Sequence, residues 1–311
     1  MAEDSPFSKA EHIGVVVRNM DRAVEYYESL GIGPFKPLNH KLLTQQEMLG
    51  KPVEPDSFAL KTMQAKLGSI NIELLEPIKG ESLWKEFLET KGEGIMHLAF
   101  FVDDIDREEA KLVEKGLTVL YHVRFQTGGG SAYFDTRKCG GLVIELVQWA
   151  PGMIQRGERV EGSPFSNLHH IGLVVRDIDT AINYYEYLGF GPFETLKLPG
   201  ERTEQIQHGK PVAYKLKNSG THIGTSTIEF EFIQPVERAA VQEEFLRKRG
   251  EGANHLGFKV DDVDKEVEKL EKKGVKVILS TSFTSGIKGK YIDTSKIGSV
   301  IVEFWQPPVK T

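Results

Sequence analysis

The chain has 311 residues, of which 40% are hydrophobic and 27% charged, a composition typical of about two globular domains that each bury a core. The net charge of −6, without a run of Lys or Arg, argues against nucleic acid or an anionic membrane as a partner. Because Cys139 is the single cysteine, an intrachain disulfide is excluded. The N-terminus is polar and no apolar run approaches a membrane span, so we expect a cytoplasmic protein.

The sequence is internally duplicated. HIGVVVRNMD at 12–21 returns as HIGLVVRDID at 170–179, and GEGIMHLAFFVDDID at 92–106 returns as GEGANHLGFKVDDVD at 250–264. Both pairs are 158 positions apart. A fixed offset over long segments indicates two halves with the same fold.

The boundary between the halves is visible in composition. The segment WAPGMIQRGERVEG combines Pro, Gly and charged residues in the way that linkers do. We therefore predict one domain at 1–149, a linker at 150–162 and a second domain at 163–311.

Within the first half, two segments follow the same order of elements. His12 opens an apolar strand, Asn19 can cap a helix and Gly31 can end it. Three segments of strand length follow this helix, at 35–43, 57–66 and 69–76. This order is β-α-β-β-β.

The second segment repeats that order. His97 opens a strand, Asp103 to Asp106 can cap a helix whose apolar face includes Ala110 and Val113, and Gly116 can end it. Strand-length segments follow at 117–125, 130–135 and 141–149. Since the second half reads in the same way, the predicted fold class is α+β, with four βαβββ modules paired into two domains.

Each module carries a carboxylate in an unfavourable place. Glu73 lies in the middle of the strand SINIELLE, and Glu145 lies in the middle of GLVIELVQ. A carboxylate on a covered sheet face costs several kcal/mol unless a cation or a proton compensates it.

Each half also has a histidine on the first strand of each module. Two imidazoles and two carboxylates form a ligand set for Zn, Ni, Co, Mn or Fe.

The second half repeats this set, so we expect about two divalent metal ions per chain. The eight candidate ligands are His12, Glu73, His97, Glu145, His170, Glu231, His255 and Glu303. His169 precedes one of these histidines and corresponds to Glu11 in the first half. Strand alternation points His169 to the opposite face, so it is not expected to be a ligand.

These motifs resemble the vicinal oxygen chelate superfamily, which includes glyoxalase I, methylmalonyl-CoA epimerase and the extradiol dioxygenases. The resemblance covers 12–148 and 170–306. Within the superfamily, GEGxxH followed by VDDID is most similar to methylmalonyl-CoA epimerase. The resemblance implies that each pair of modules forms a cupped sheet around one metal ion. The implied ligands are the same eight residues, four in each half.

The resemblance also implies catalytic roles. A metal with two open positions would hold two substrate oxygens and stabilise an enediolate after an α-proton leaves. Glu145 and Glu303 are the implied bases, and Tyr133 and Tyr291 are candidate hydrogen-bond donors to the substrate.

Two departures from the epimerase pattern stand out. Met96 and Asn254 precede the ligand where the epimerase usually has a second histidine, and a segment like NEEQGV is missing. Glu47 or Glu204 could replace the second acid/base that this segment carries.

Three classes of function are compatible with the sequence. The first is a metal-dependent isomerase or lyase of the epimerase or glyoxalase type, acting on a small 2-oxo or acyl-thioester substrate. The second is an extradiol-type or 2-oxo-acid dioxygenase, against which a fourth protein ligand counts because the oxygenase triad leaves that position open. The third is a non-catalytic binding or resistance protein. The chain is expected to act as a monomer or homodimer.

Overall fold

The computed structural model describes residues 5–38, 43–54, 56–126, 128–150, 160–224, 226, 228–237 and 240–308. Most of the predicted linker at 150–162 therefore lies outside the described residues, and the domain boundaries stay a prediction. The described strands form two curled sheets of ten strands each, one in each half. This arrangement confirms the predicted α+β fold of paired cupped sheets.

The first half contains three helices, α1 (Met20–Leu30), α2 (Leu83–Thr90) and α3 (Ile105–Glu114). Its strands are β1 (Ala10–Val16), β2 (Lys36–Pro37), β3 (Leu43–Met48), β4 (Lys51–Pro52), β5 (Ala59–Leu67), β6 (Ile70–Lys79), β7 (Gly94–Phe101), β8 (Val119–Phe125), β9 (Gly130–Phe134) and β10 (Val143–Gln148).

The second half repeats this order after a short 3-10 helix at Pro164–Ser166, with α4 (Ile178–Leu188), α5 (Ala240–Arg249) and α6 (Val263–Glu271). Its strands are β11 (Leu168–Val174), β12 (Glu194–Thr195), β13 (Arg202–Gln207), β14 (Lys210–Pro211), β15 (Lys215–His222), β16 (Glu229–Glu237), β17 (Gly252–Lys259), β18 (Val277–Phe283), β19 (Lys288–Ile292) and β20 (Ile301–Gln306).

The order of strands brings the predicted ligands together. The first sheet runs β2-β5-β6-β1-β7-β10-β9-β8-β3-β4, so the strands that carry Glu73, His12, His97 and Glu145 are its four central neighbours. The second sheet has the same order. Each half therefore supplies its own candidate site, because its two modules pair with each other.

Local sequence signals explain the helix ends. The Asn19 side chain accepts a hydrogen bond from the backbone of Arg22 at the start of α1, and Gly31 ends this helix in the left-handed conformation. Asp104 caps α3 in the same way. The predicted apolar face of α3 was wrong, because its buried residues are Ile105, Glu108 and Leu112, whereas Ala110 and Val113 are exposed.

Two other elements differ from the prediction. Helix α2 was missed, although Ser82 caps it and Trp84 anchors it in the core. Of the predicted strand at 35–43, the described residues form β2 at Lys36–Pro37 and the start of β3 at Leu43, whereas 39–42 lie outside the described residues. β2 pairs with β5 of its own module, and β3 pairs with β8 of the other module at the far edge of the sheet.

The two halves pack against each other through paired, reciprocal contacts. Tyr27 donates a hydrogen bond of 3.3 Å to the carbonyl of Ile297, and the equivalent Tyr185 donates one of 3.2 Å to the carbonyl of Cys139. Phe190 stacks on the ring of Phe7 with the centroids 4.0 Å apart. The interface thus has approximate twofold symmetry.

The glutamate of each GEG motif also connects the halves. Glu93 accepts hydrogen bonds from the backbone N–H of Arg18 in its own half, at 2.8 Å, and of Gly298 in the other half, at 3.1 Å. Glu251 accepts one of 2.8 Å from Gly140 across the same interface. The helices in the described part of the chain are all too short or too polar to cross a bilayer.

Candidate metal centres

Four side chains from four neighbouring strands meet on one face of the first sheet. His12 Nε2 lies 3.0 Å from His97 Nε2, 2.9 Å from Glu73 Oε2 and 3.1 Å from Glu145 Oε2. One donor atom of each residue lies within 4.8 Å of the other three, and all four residues are buried. The group could hold a divalent metal ion.

Burial and charge oppose each other in this group. Burial alone would lower the pKa of His12, yet the carboxylates of Glu73, Glu11 and Glu145 raise it well above its ordinary value. Burial alone would raise the pKa of Glu73 and Glu145, and the two imidazoles lower both. Both carboxylates are therefore ionised, which is the form that binds a metal.

The spacing of the donor atoms fits a bound cation. Metal bonds of about 2.1 Å place neighbouring ligand atoms about 3.0 Å apart at right angles and about 3.4 Å apart in a tetrahedron. Glu145 Oε2 lies 3.1 Å from His12 Nε2 and 3.2 Å from His97 Nε2, yet no N–H or O–H of the described residues is aligned with it as a hydrogen bond. The donors are thus spaced like ligands around one ion.

Glycines provide the space that the histidine rings occupy. Gly14 lies opposite His97 in the antiparallel pair of β1 and β7, and a β-carbon at Gly14 would lie 1.9 Å from the ring. A β-carbon at Gly172 would lie 2.0 Å from the ring of His255. Each HIG motif therefore supplies one of the two histidines and the glycine that leaves room for the ring of the other.

A β-bulge changes the position of Glu11. The pairing of β1 with β7 shifts its register between Ala10 and His12, so Glu11 leaves the regular alternation of the strand. Its Oε2 is in close contact with His12 Nδ1, and Asn71 donates a hydrogen bond of 3.1 Å to its Oε1. Glu11 orients the ring of His12 from behind the site.

The second half groups its two histidines with Glu231, whereas the predicted ligand Glu303 lies outside this group although its Oε2 is closer to both imidazoles. His170 Nε2 lies 3.1 Å from His255 Nε2 and 3.0 Å from Glu303 Oε2, and His255 Nε2 lies 3.4 Å from Glu303 Oε2. His169 takes the place of Glu11, with its Nδ1 3.1 Å from His170 Nδ1. A half-buried imidazole therefore replaces the carboxylate behind the first ligand.

Glu231 is held less closely than its counterpart in the first half. Its Oε2 lies 3.7 Å from His170 Nε2 and 3.9 Å from His255 Nε2, although these three residues still form a group with donor atoms within 4.8 Å. Asn218 donates a hydrogen bond of 2.6 Å to its Oε1. Burial raises the pKa of Glu231, and the imidazoles offset this only in part. By distance, Glu303 is the closer partner of the histidines.

A cavity of about 220 Å³ opens onto the first group and reaches His12, Glu73 and Glu145. Tyr133 lines this cavity, with its ring 5.2 Å from that of His97. Burial and the neighbouring Glu145 raise the pKa of Tyr133 well above its ordinary value, so the phenol keeps its proton. It can therefore donate a hydrogen bond to a bound molecule.

Tyr291 has the matching place in the second half. Its ring lies 4.9 Å from that of His255, it faces Glu303 across the strand pair, and burial raises its pKa well above the ordinary value. The catalytic roles of both tyrosines stay predictions.

The two glutamates expected to replace the second acid/base do not fit that role. Gln46 lines the cavity from β3, whereas the next residue, Glu47, lies 3.8 Å from His122 and is not among the cavity-lining residues. Glu204 is exposed. A two-base epimerisation therefore lacks its proposed second residue in the first half.

Two solved structures are similar to this chain to different extents. A variant of 4-hydroxymandelate synthase from Streptomyces coelicolor is 16% identical, covers 98% of this chain and 94% of its own, and has a TM-score of 0.63. Methylmalonyl-CoA epimerase from Mycobacterium tuberculosis is 23% identical over 46% of this chain and 89% of its own, with a TM-score of 0.36. The first of these shows that the whole two-sheet arrangement has a known counterpart.

Sequence comparisons place the chain in a family. The uncharacterized protein YqjC of Bacillus subtilis (strain 168) is 27% identical over 143 residues, which are 45% of this chain and 92% of that protein. The model of the glyoxalase/bleomycin resistance protein/dioxygenase superfamily matches residues 11–134 and again residues 169–292. The chain belongs to the glyoxalase/bleomycin resistance protein/dioxygenase superfamily.

Proposed function

We propose that the protein is a divalent-metal-dependent isomerase or lyase that removes a proton next to a carbonyl in the first-half site. The observation that carries this proposal is the group of His12, Glu73, His97 and Glu145 at the floor of a cavity. These four side chains would hold the metal, which supplies a Lewis acid for two neighbouring substrate oxygens.

Glu145 is the proposed base. It is buried and ionised, and its Oε2 faces the space shared with the two imidazoles. Because Glu145 is also one of the four metal-holding side chains, it takes up the proton from a substrate C–H and returns it through a carboxylate oxygen that is not bound to the metal. Tyr133, its cross-strand neighbour, donates a hydrogen bond to the substrate oxygen. The apolar walls of the cavity keep water away from the exchanging proton.

A second candidate function, oxygenation, is favoured by the second half. There His170, His255 and Glu303 form a close trio, while Glu231 is drawn toward Asn218. Two histidines and one carboxylate form the ligand set of non-haem iron oxygenases, which leaves positions open for substrate and O₂. We rank oxygenation second because Glu231 remains within 4 Å of both imidazoles, where it could occupy one of the positions that an oxygenase leaves open.

The experiment that tests the proposal has two parts. Elemental analysis of the purified protein should find about two divalent metal ions per chain, one for each group. The protein should then exchange the α-protons of 2-oxo acids with D₂O, followed by NMR, without consuming O₂. Absence of bound metal would refute the proposal, and O₂ uptake by the iron-loaded protein would favour the second candidate.

Matched variants assign the reaction to a site. Glu145→Gln should abolish proton exchange while the fold and the second metal are retained. Glu303→Gln makes the same change in the second half and should leave exchange at the first site intact. Unchanged exchange in the Glu145→Gln variant would remove this residue from the mechanism.

A further inference from the structure

We propose that the first-half site selects a small substrate that contains a single aromatic ring. This substrate also bears two neighbouring oxygens that would reach the proposed metal site. This inference rests on the proposed function, because it names the class of molecule on which the proton exchange acts. It is carried by the walls, the size and the charge of the cavity above His12, Glu73 and Glu145.

Aromatic rings form most of the apolar wall of this cavity. The six that line it are Phe58, Trp84, Tyr121, Phe125, Tyr133 and Trp149. Trp84 is at the centre of the wall, with its ring 5.4 Å from that of Tyr121 and 5.5 Å from that of Tyr133, both edge to face. Rings that hold each other in place present fixed faces and edges to a ligand, and a further ring fits such a surface well.

The size of the cavity is that of one ring with a short side chain. A dry cavity of about 150 Å³ binds benzene. The cavity here measures about 220 Å³. Pockets for drug-sized molecules begin at about 300 Å³. A phenyl group with two or three further carbons therefore fits this cavity.

The charge of the cavity disfavours a phosphate-bearing substrate. Lys and Arg are missing from the described residues that line it, whereas Glu54 and Asp56 do line it. Lys61 forms an ion pair of 2.7 Å with Asp21. Among the described residues that line the cavity, the phosphates of a CoA thioester would thus meet carboxylates without a compensating cation.

The second half keeps Tyr291 and Phe283 where this wall has Tyr133 and Phe125 but changes the centre of the wall, which makes it an internal control. The positions of Trp84 and Tyr121 are occupied there by Gln242 and Leu279. Gln242 is fully buried, and both polar atoms of its amide lack a partner among the described residues. An unpaired buried amide favours a polar ligand over a ring. The full aromatic wall is therefore found in the first half, where we place the selection of an aromatic ring.

The test compares ligands that differ only in the ring. The full chain loaded with Mn²⁺ is titrated by calorimetry with phenylpyruvate, with pyruvate and with acetyl-CoA. Phenylpyruvate should bind at least about tenfold more tightly than pyruvate, since burial of a phenyl group favours binding by that factor or more. It should also quench tryptophan fluorescence, because Trp84 and Trp149 line the cavity.

Variants that copy the second half locate the effect. Tyr121→Leu and Trp84→Gln should each remove most of the preference for phenylpyruvate, whereas Gln242→Trp in the second half should leave it unchanged. A thermal unfolding curve checks that each variant is folded. If Trp84→Gln does not fold, Tyr121→Leu alone decides.

Three results would overturn the inference: equal affinity for phenylpyruvate and pyruvate, tighter binding of acetyl-CoA, or binding of none of them. These results are separable from failure of the proposed function. Metal content and α-proton exchange of pyruvate test the proposed function, and both can succeed while the aromatic preference fails.

Discussion

Gly14 and His97 are mutually dependent, because a β-carbon at Gly14 would lie within 2.4 Å of three atoms of the His97 ring. Such an approach is far shorter than any tolerated contact, so the ring can hold its position only with glycine opposite it. The backbone of a neighbouring strand thus determines where one candidate ligand points.

We predict that Gly14→Ala removes the metal from the first half only. The added methyl group displaces the imidazole, and the group loses one of four donors. Elemental analysis should fall from about two metal ions per chain to about one. Gly172→Ala, which meets the ring of His255 at 2.0 Å, should remove the other ion. Two ions per chain in the Gly14→Ala variant would show that His97 is not a ligand.

The contact between Glu11 and His12 predicts unequal metal affinities. A carboxylate behind a ligating histidine fixes its ring and tautomer, and its loss typically costs about 10- to 100-fold in affinity. Glu11→Gln should therefore weaken Zn²⁺ binding in the first half by about that factor, measured by competition with a chelator.

The control for this prediction is His169→Gln, because His169 occupies the same place in the second half without a carboxylate. It should change the affinity of the second site by much less. Equal effects of the two variants would mean that Glu11 acts only through packing.

Much of the candidate site is predictable because its signals are local. Alternation placed Ile72 and Glu73 on opposite faces of one strand, and the structure confirms this: Ile72 lies in the apolar core, whereas Glu73 lines the cavity. The helix caps at Asn19 and Asp104 depend on a single side chain and the next turn. A mid-strand carboxylate that recurs at a fixed offset is conspicuous without any structure.

The remainder depends on pairing between distant segments. Glu11 reaches His12 only because a bulge interrupts the pairing of β1 with β7. The crossing of β3 to β8 joins residues about 75 positions apart, such as Gln46 and Val123. Asn218 meets Glu231 because the second-half hairpin has its own register. Periodicity in one strand contains no information about which strand lies beside it.

The glutamates of the GEG motifs predict a shared contribution to stability. Glu93 accepts one backbone hydrogen bond from each half, so Glu93→Ala leaves two N–H groups without their partner. Hydrogen bonds to charged groups contribute about 1.5–3 kcal/mol each when well formed. Because Glu93 is only partly buried, we expect a loss of about 1–3 kcal/mol in the free energy of unfolding, measured in urea.

Glu251→Ala is the matched variant and should cost a similar amount, since it accepts the equivalent bonds. Metal content should be retained in both variants. A change below about 0.5 kcal/mol would show that water replaces these bonds without cost.

Cys139 lies at the same interface and should be unreactive in the native protein. Its thiol is buried, its carbonyl accepts the hydrogen bond from Tyr185, and burial followed by the charge of Glu251 raises the pKa of the thiol to about 11. The thiolate is the reactive form of cysteine. With this pKa, the thiolate at pH 8 is roughly two hundredfold scarcer than in an exposed cysteine.

Alkylation of Cys139 by iodoacetamide, followed by mass spectrometry, should be slower by at least this factor and should accelerate as the pH rises toward 11. The same protein unfolded in urea gives the reference rate. Equal rates in the native and unfolded protein would mean that the two halves separate readily in solution and expose this interface.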